Sequence, residues 1–223
     1  MIFTDIIALI AVYAYVIVIF IISEKVLKSR PEFSRKFLHI MVGNMIFAMP
    51  FFSNPWVMII GVTLPASIGT FLLTEYSPIK IENSMTESGH ALGLFFYSAI
   101  WTVLLIVFGN NLWIVALAIV PLVYGDGFAA LIGIKFGKVK FSIFGSTKSL
   151  EGSLAMFVVT SVMSVFVWMV YTSVGYAMPE FNIVNILLIS GVATLCEAFS
   201  YGGIDNLTVP ALTSILYYLV AVL

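Results

Sequence analysis

Charge and cysteine are what this chain has least of. Charged residues make up 9% of its 223 residues and hydrophobic residues 61%, and the mean hydropathy is +1.12. Soluble globular domains carry about 25% charged residues, so that class is excluded and a polytopic membrane protein is indicated. Cys196 is the one cysteine, which rules out an intrachain disulfide and a cysteine metal cluster. A net charge of −1 leaves no excess of cations for nucleic acid as a partner. At roughly 20 residues per crossing, the length holds seven or eight transmembrane helices and no separate soluble catalytic domain. An all-α membrane bundle follows, with any active site made of helix ends and short loops. No repeat, low-complexity segment or linker interrupts residues 1–223, so one domain is expected.

Basic residues are also missing from half of the turns. Apolar runs at 2–22, 37–52, 56–74, 91–108, 112–133, 150–174 and 183–199 predict seven spans, and 207–223 an eighth, shorter one. The first run has no basic leader and no small-residue cleavage pattern, so it reads as an uncleaved span. All ten Lys and Arg fall in 23–36, 75–90 and 134–149; the turns at 53–55, 109–111 and 175–182 have none. The positive-inside rule then makes the three basic loops cytoplasmic and puts the N-terminus outside. One membrane face thereby collects Arg35, Lys36, His39, His90, Asp126, Lys148, Glu151, Glu197 and Asp205. Of the eleven Asp and Glu, only Asp5 and Glu180 belong to the other side. The sequon Asn206-Leu207-Thr208 lies on the cytoplasmic side and is set aside.

Glycines and charges displace the apolar background in one long passage, from Tyr124 to Ser153. It opens with Gly125-Asp126-Gly127, a carboxylate between two residues that let backbone or ligand come close. An ionisable group at the end of an apolar run is costly in lipid and reads as functional. Ala129, Gly133 and Gly137 recur every four residues, a small-residue face against which another helix or a ligand fits. Then come Lys138, Lys140 and Lys148 among Gly137, Gly145, Ser146, Thr147 and Ser149. Val139, Phe141 and Ile143 alternate with polar residues, predicting a short extended segment or hairpin. Backbone N–H groups, small hydroxyls and lysines suit a loop that cradles phosphate; a topogenic basic anchor is the plainer reading. A carboxylate able to hold Mg²⁺ beside cations able to hold phosphate is the minimum for nucleotide chemistry.

Two flanking segments extend the pattern. Arg35-Lys36-Phe37-Leu38-His39 stands at the mouth of the second run, offering two cations and an imidazole one turn further in, or a basic anchor with a snorkelling His. Glu197 lies among apolar residues near the end of the seventh run and needs a partner, for which Mg²⁺ or Lys148 would serve. Gly202-Gly203-Ile204-Asp205-Asn206 follows, with Asp205 and Asn206 placed either to cap the next helix or to bind metal. Glu87 and His90 precede the fourth run and read as a solvated loop.

The run GDGFAALIGIKFGK…GSTKSLEGSLAMF resembles the signature of the membrane-embedded polyprenol kinases, which include dolichol, phytol and farnesol kinases and the CTP-dependent diacylglycerol kinase. Arg-Lys-x-x-His at 35–39 and Glu197…Asp205-Asn206-x-x-x-Pro210 are similar to two further segments of that family. A more distant similarity joins the central stretch to phosphatidate cytidylyltransferase. In that family His-Gly-Gly-x-x-Asp-Arg stands where this chain has Tyr201 and Asn206, a departure that favours the kinases.

The resemblance implies a CTP-dependent kinase acting on an isoprenoid alcohol or diacylglycerol, with Mg²⁺ as cofactor. Asp126, Glu197 and Asp205 would hold the metal. Arg35, Lys36, Lys138 and Lys148 would neutralise phosphate charge, with Gly125, Gly127, Gly133, Ser146, Ser149 and Asn206 completing the nucleotide site. Glu151 or His39 would accept the proton of the lipid hydroxyl. Cytidylyl transfer to a lipid phosphate is the nearest alternative, and a non-catalytic transporter or scaffold a remoter one. The cations gathered at one face speak against a translocation path.

Overall fold

The computed structural model describes residues 2–27, 29–79, 91–143 and 146–222. Helices dominate: α1 (Ile2–Val26), α2 (Pro31–Gly43), α3 (Pro55–Met58), α4 (Leu64–Leu72), α5 (Ala91–Phe108), α6 (Leu112–Val120), α7 (Gly127–Phe136), α8 (Leu150–Ser173), α9 (Ile183–Ala198) and α10 (Asp205–Val222). Tight 3₁₀ turns continue α2 at Asn44–Phe47 and Met49–Phe51. Two wide π-turns join α3 to α4 at Ile59–Thr63 and α6 to α7 at Pro121–Asp126.

Local chemistry sets several boundaries. Pro31 begins α2, where its missing N–H costs nothing. Asn54 caps α3 by accepting the Trp56 N–H at 2.8 Å, with Pro55 next. Ser149 caps α8 through the Gly152 N–H at 3.1 Å. Asn182 caps α9 through the N–H groups of Val184 and Asn185 at 3.0 and 3.2 Å.

Every residue of α6 is buried, as expected of a helix apolar on all sides. It is the axis of the bundle, wrapped by α5, α8 and α10. Gly109–Asn111 reverses the chain between α5 and α6, so the 45 apolar residues from Leu92 to Phe136 fold back on themselves. Pro121 widens the next turn because it cannot donate to the helical ladder. The chain leaves that turn at Asp126 and continues as α7, which packs closely along α8.

Hydrogen bonds fix two opposite ends of the bundle. At one end the Asp5 carboxylate accepts the Ser53 N–H at 2.7 Å and the Ser53 hydroxyl at 2.5 Å. The Tyr176 hydroxyl accepts the Leu112 N–H there at 3.0 Å. At the other end α1 meets α2 through Ser23 and Ser34, at 2.5 Å. Asn206 ties α10 to α5 there, donating to the Gly93 carbonyl at 2.7 Å.

Among the described residues, four helical stretches are long and apolar enough to cross a bilayer: Phe3–Val26, Pro55–Leu72, Leu92–Phe136 and Leu150–Ser173. The sequence predicted seven or eight crossings. The difference has physical sources: Leu92–Phe136 contains two antiparallel helices, α2 breaks into 3₁₀ turns after 13 residues, and α9 is a shorter apolar helix of 16. One departure from an all-helical fold is the two-stranded hairpin of β1 (Lys140–Ile143) and β2 (Ser146–Ser149). Its antiparallel register pairs Lys140 with Ser149 and Phe141 with Lys148, meeting the alternation predicted there.

Candidate active site

The hairpin, α2, α7, α8 and the facing ends of α9 and α10 enclose a cavity of about 430 Å³. Its acidic wall is Asp126, Glu197 and Asp205, drawn from three separate elements. One carboxylate oxygen of each lies within 4.8 Å of the others. Its basic wall is Arg35 and Lys36 from α2 with Lys140 and Lys148 from the hairpin. Small residues fill the remainder: Ser146, Thr147, Ser149, Gly152 and Ser153 on one side, Ala129, Ala130 and Gly133 on the other, with Ile134 at the apolar margin.

Two ion pairs cross the cavity. Lys36 Nζ stands 2.7 Å from Asp126 Oδ2. Lys148 Nζ bonds both the carboxylate and the backbone carbonyl of Glu197, and reaches to 3.9 Å from Asp205 Oδ2. The paired side chains are only 9 to 18% exposed, so each charge depends on its partner rather than on water. Of the four lining cations, Lys36 and Lys148 contact these carboxylates, while Arg35 and Lys140 form no carboxylate ion pair among the described residues. Carboxylate oxygens are the ligands that hard divalent cations select. The donor set suits a hard divalent cation such as Mg²⁺, which Asp126, Glu197 and Asp205 would hold. Among the small residues of the lining, Ser153 adds a buried hydroxyl with no hydrogen-bond partner among the described residues.

His39 stands behind Asp126 instead of in the cavity lining. Its Nε2 lies 2.8 Å from the Leu122 carbonyl oxygen and 3.6 Å from Asp126 Oδ2. A carbonyl can only accept, so Nε2 carries the proton and donates. That bond secures the π-turn which ends at Asp126. Tyr97 supports the arrangement from α5, donating to the His39 carbonyl at 2.8 Å and packing its ring 4.4 Å from the imidazole.

The remaining expected residues divide. Gly133 lines the cavity and also packs against α8, where a Cβ would stand 3.0 Å from Ser149 Oγ. Gly125 and Gly127 lie outside the lining and serve helix packing: Gly125 faces Thr160 of α8, and Gly127 faces Ile40 of α2. Asn206 is occupied by its clamp on Gly93. Glu151 and Lys138 lie outside the lining as well; the Glu151 carboxylate receives the Val139 N–H at 3.3 Å. Glu87 and His90 fall outside the described residues.

Ser153 and Tyr97 were not singled out from the sequence, and Lys140 and Thr147 were read there only as part of the loop suited to cradle phosphate. For Lys140 and Thr147 a signal exists, because the hairpin alternation brings Lys140 opposite Ser149. Tyr97 carries no such signal in an apolar helix.

Comparison with known proteins bears on a cavity of this kind. The phytol kinase of Synechocystis sp. is 34% identical over 191 residues, covering 82% of this chain and 76% of the relative. The chain belongs to the phytol kinase family. Within that family, phytol kinase 1 of Arabidopsis thaliana is 28% identical and a probable phytol kinase of Triticum aestivum 26%, each over 200 residues. Both alignments span 83% of this chain and 66% of the plant protein, and both plant proteins are described as chloroplastic. No family model matches the chain. No solved structure matches it.

Proposed function

We propose that this protein phosphorylates the hydroxyl of an isoprenoid alcohol of the phytol type, using a nucleoside triphosphate with Mg²⁺. The observation that carries the reading is the cavity in which three carboxylates face two ion-paired lysines, in a chain of the phytol kinase family. CTP is proposed as the donor on the resemblance of the central motif alone.

In the proposed reaction the acceptor oxygen bonds to the γ-phosphorus while the bond from that phosphorus to the β–γ bridging oxygen breaks. The hydroxyl proton is released, and CDP and a lipid monophosphate result. Phosphoryl transfer passes through a loose transition state whose charge sits on the equatorial oxygens. Positioning and charge neutralisation therefore carry the rate, and little is asked of a base. Lys36, Lys148, Arg35 and Lys140 supply the neutralising charge, and Asp126, Glu197 and Asp205 hold the metal. The free hydroxyl of Ser153 is available to a phosphate or acceptor oxygen. The basic end of the bundle is proposed to face the cytoplasm, with the alcohol entering from the adjoining lipid and its tail remaining among apolar helix surfaces.

The test is a product assay on purified protein with Mg²⁺, labelled CTP or ATP, and a panel of lipid alcohols and lipid phosphates. Formation of CDP with a phosphorylated alcohol is expected. Asp126→Asn should lower the rate on the order of a hundredfold or more, whereas Glu151→Gln should leave it within a few fold. Pyrophosphate and a CDP-lipid would replace the kinase with a cytidylyltransferase.

A further inference from the structure

The ion pairs of the cavity constrain the order in which its ligands are admitted, on the reading of the cavity as a metal–nucleotide site. Lys36 holds Asp126, while Lys148 holds Glu197 and approaches Asp205 to 3.9 Å. The carboxylates expected to ligate a metal are thus the ones now facing ammonium groups. An ammonium bonds oxygen at about 2.7–2.9 Å, and Mg²⁺ binds it at about 2.0–2.1 Å. At those distances an ammonium and a divalent cation on the same carboxylate stand close enough to repel each other.

A divalent cation entering alone would displace two lysines into a cavity where their side chains are 14 and 15% exposed, with no other anion to meet them. That leaves buried charge unpaired. A triphosphate entering alone meets three carboxylates with only Arg35 and Lys140 among the lining cations to offset them, because Lys36 and Lys148 are engaged, and like charges repel. Entering together, the cation takes the carboxylates and the phosphates take the lysines, so Lys36 and Lys148 keep an anionic partner throughout. Only non-covalent partners change.

We propose that Lys36 and Lys148 are internal stand-ins for the divalent cation, and that the cavity takes the cation and the triphosphate more tightly together than singly. Binding of each ligand then strengthens binding of the other, and by the same factor. Lys140 is the internal comparison: it lines the cavity but forms no carboxylate ion pair among the described residues.

The experiment measures Mn²⁺ binding to the full chain in detergent by electron paramagnetic resonance, with and without a β,γ-methylene CTP analogue that cannot transfer phosphate. The wild-type protein should bind Mn²⁺ alone at least about tenfold more weakly than with the analogue. Lys36→Met and Lys148→Met should tighten binding of Mn²⁺ alone by about tenfold, weaken the analogue and shrink the coupling. Lys140→Met should weaken the analogue while leaving Mn²⁺ alone within about twofold, since no cation is displaced. Mn²⁺ binding equally well to the wild-type protein with and without bound analogue would overturn the inference without recourse to any variant. So would an equal tightening in all three variants, which would reduce the effect to net charge. Failure of the wild-type protein to bind the analogue at all would instead remove the nucleotide reading, and this inference with it.

Discussion

Lys148 shows how single side chains are committed here. Its ammonium is the one cation in contact with Glu197 among the described residues, and both are largely removed from water. Taking away one partner of a buried pair leaves the other uncompensated, at about 3–5 kcal/mol, whereas replacing both by apolar residues is often neutral. Lys148→Met should therefore lower the thermal midpoint markedly, and Lys148→Met with Glu197→Leu should recover most of it while remaining inactive. A double variant no more stable than the single one would show that the pair does not govern stability. The need of Glu197 for a partner was legible in the sequence, because a carboxylate among Leu195, Ala198 and Phe199 is costly alone, and Lys148 was named as one candidate. The pairing of Lys36 with Asp126 was not legible: 90 residues separate them, and no local periodicity reports a contact between helices. His39 was read as a candidate base for a similar reason, since the carbonyl it serves is set free by a π-turn that sequence spacing does not reveal.

At the level of elements, the turn before α10 is the tightest constraint on the acidic wall. Gly202 and Gly203 both adopt positive φ, +62° and +81°, where a Cβ is disfavoured. A Cβ on Gly203 would also stand 2.9 Å from the Cα of Gly93 in α5. Gly203→Ala should cost about 1–3 kcal/mol in stability and displace Asp205 two residues on, so Mn²⁺ binding in the presence of nucleotide should fall with it. Gly202→Ala meets no neighbour within 4 Å and should cost only its backbone strain, leaving Mn²⁺ binding near normal. Equal loss of metal in both variants would contradict the close-approach argument. The hairpin was readable from alternation between Val139 and Ile143, and the small-residue face of α7 from its four-residue spacing. What spacing left open was whether helix or ligand fills that face; the structure gives most of it to α8, whose Gly152 would place a Cβ 2.9 Å from the Ala129 carbonyl.

Over the whole molecule, charge is sorted to one end. The cavity, both hairpin lysines and α2 lie at the end opposite Asp5 and Ser53. In a Cys196→Ser background, Lys140→Cys and Glu180→Cys should therefore react with a membrane-impermeant maleimide from opposite sides, because both positions are exposed and the bundle separates them. Labelling from the same side would overturn the orientation proposed above. The sorting itself was plain in the sequence, where basic residues are absent from alternate turns. The number of crossings was not, since a hydropathy window does not distinguish a 3₁₀-broken segment such as 31–51 from a straight helix.

The long reach of the two ion pairs has a consequence for biosynthesis. Lys36 waits 90 residues for Asp126, and Lys148 waits 49 for Glu197. While the chain is emerging, each lysine is synthesised before its counter-charge exists. A message truncated after α8 would yield a product with the correct early helices and an orphan cation at its surface. Quality control could recognise that unfinished state by charge alone, without inspecting the fold.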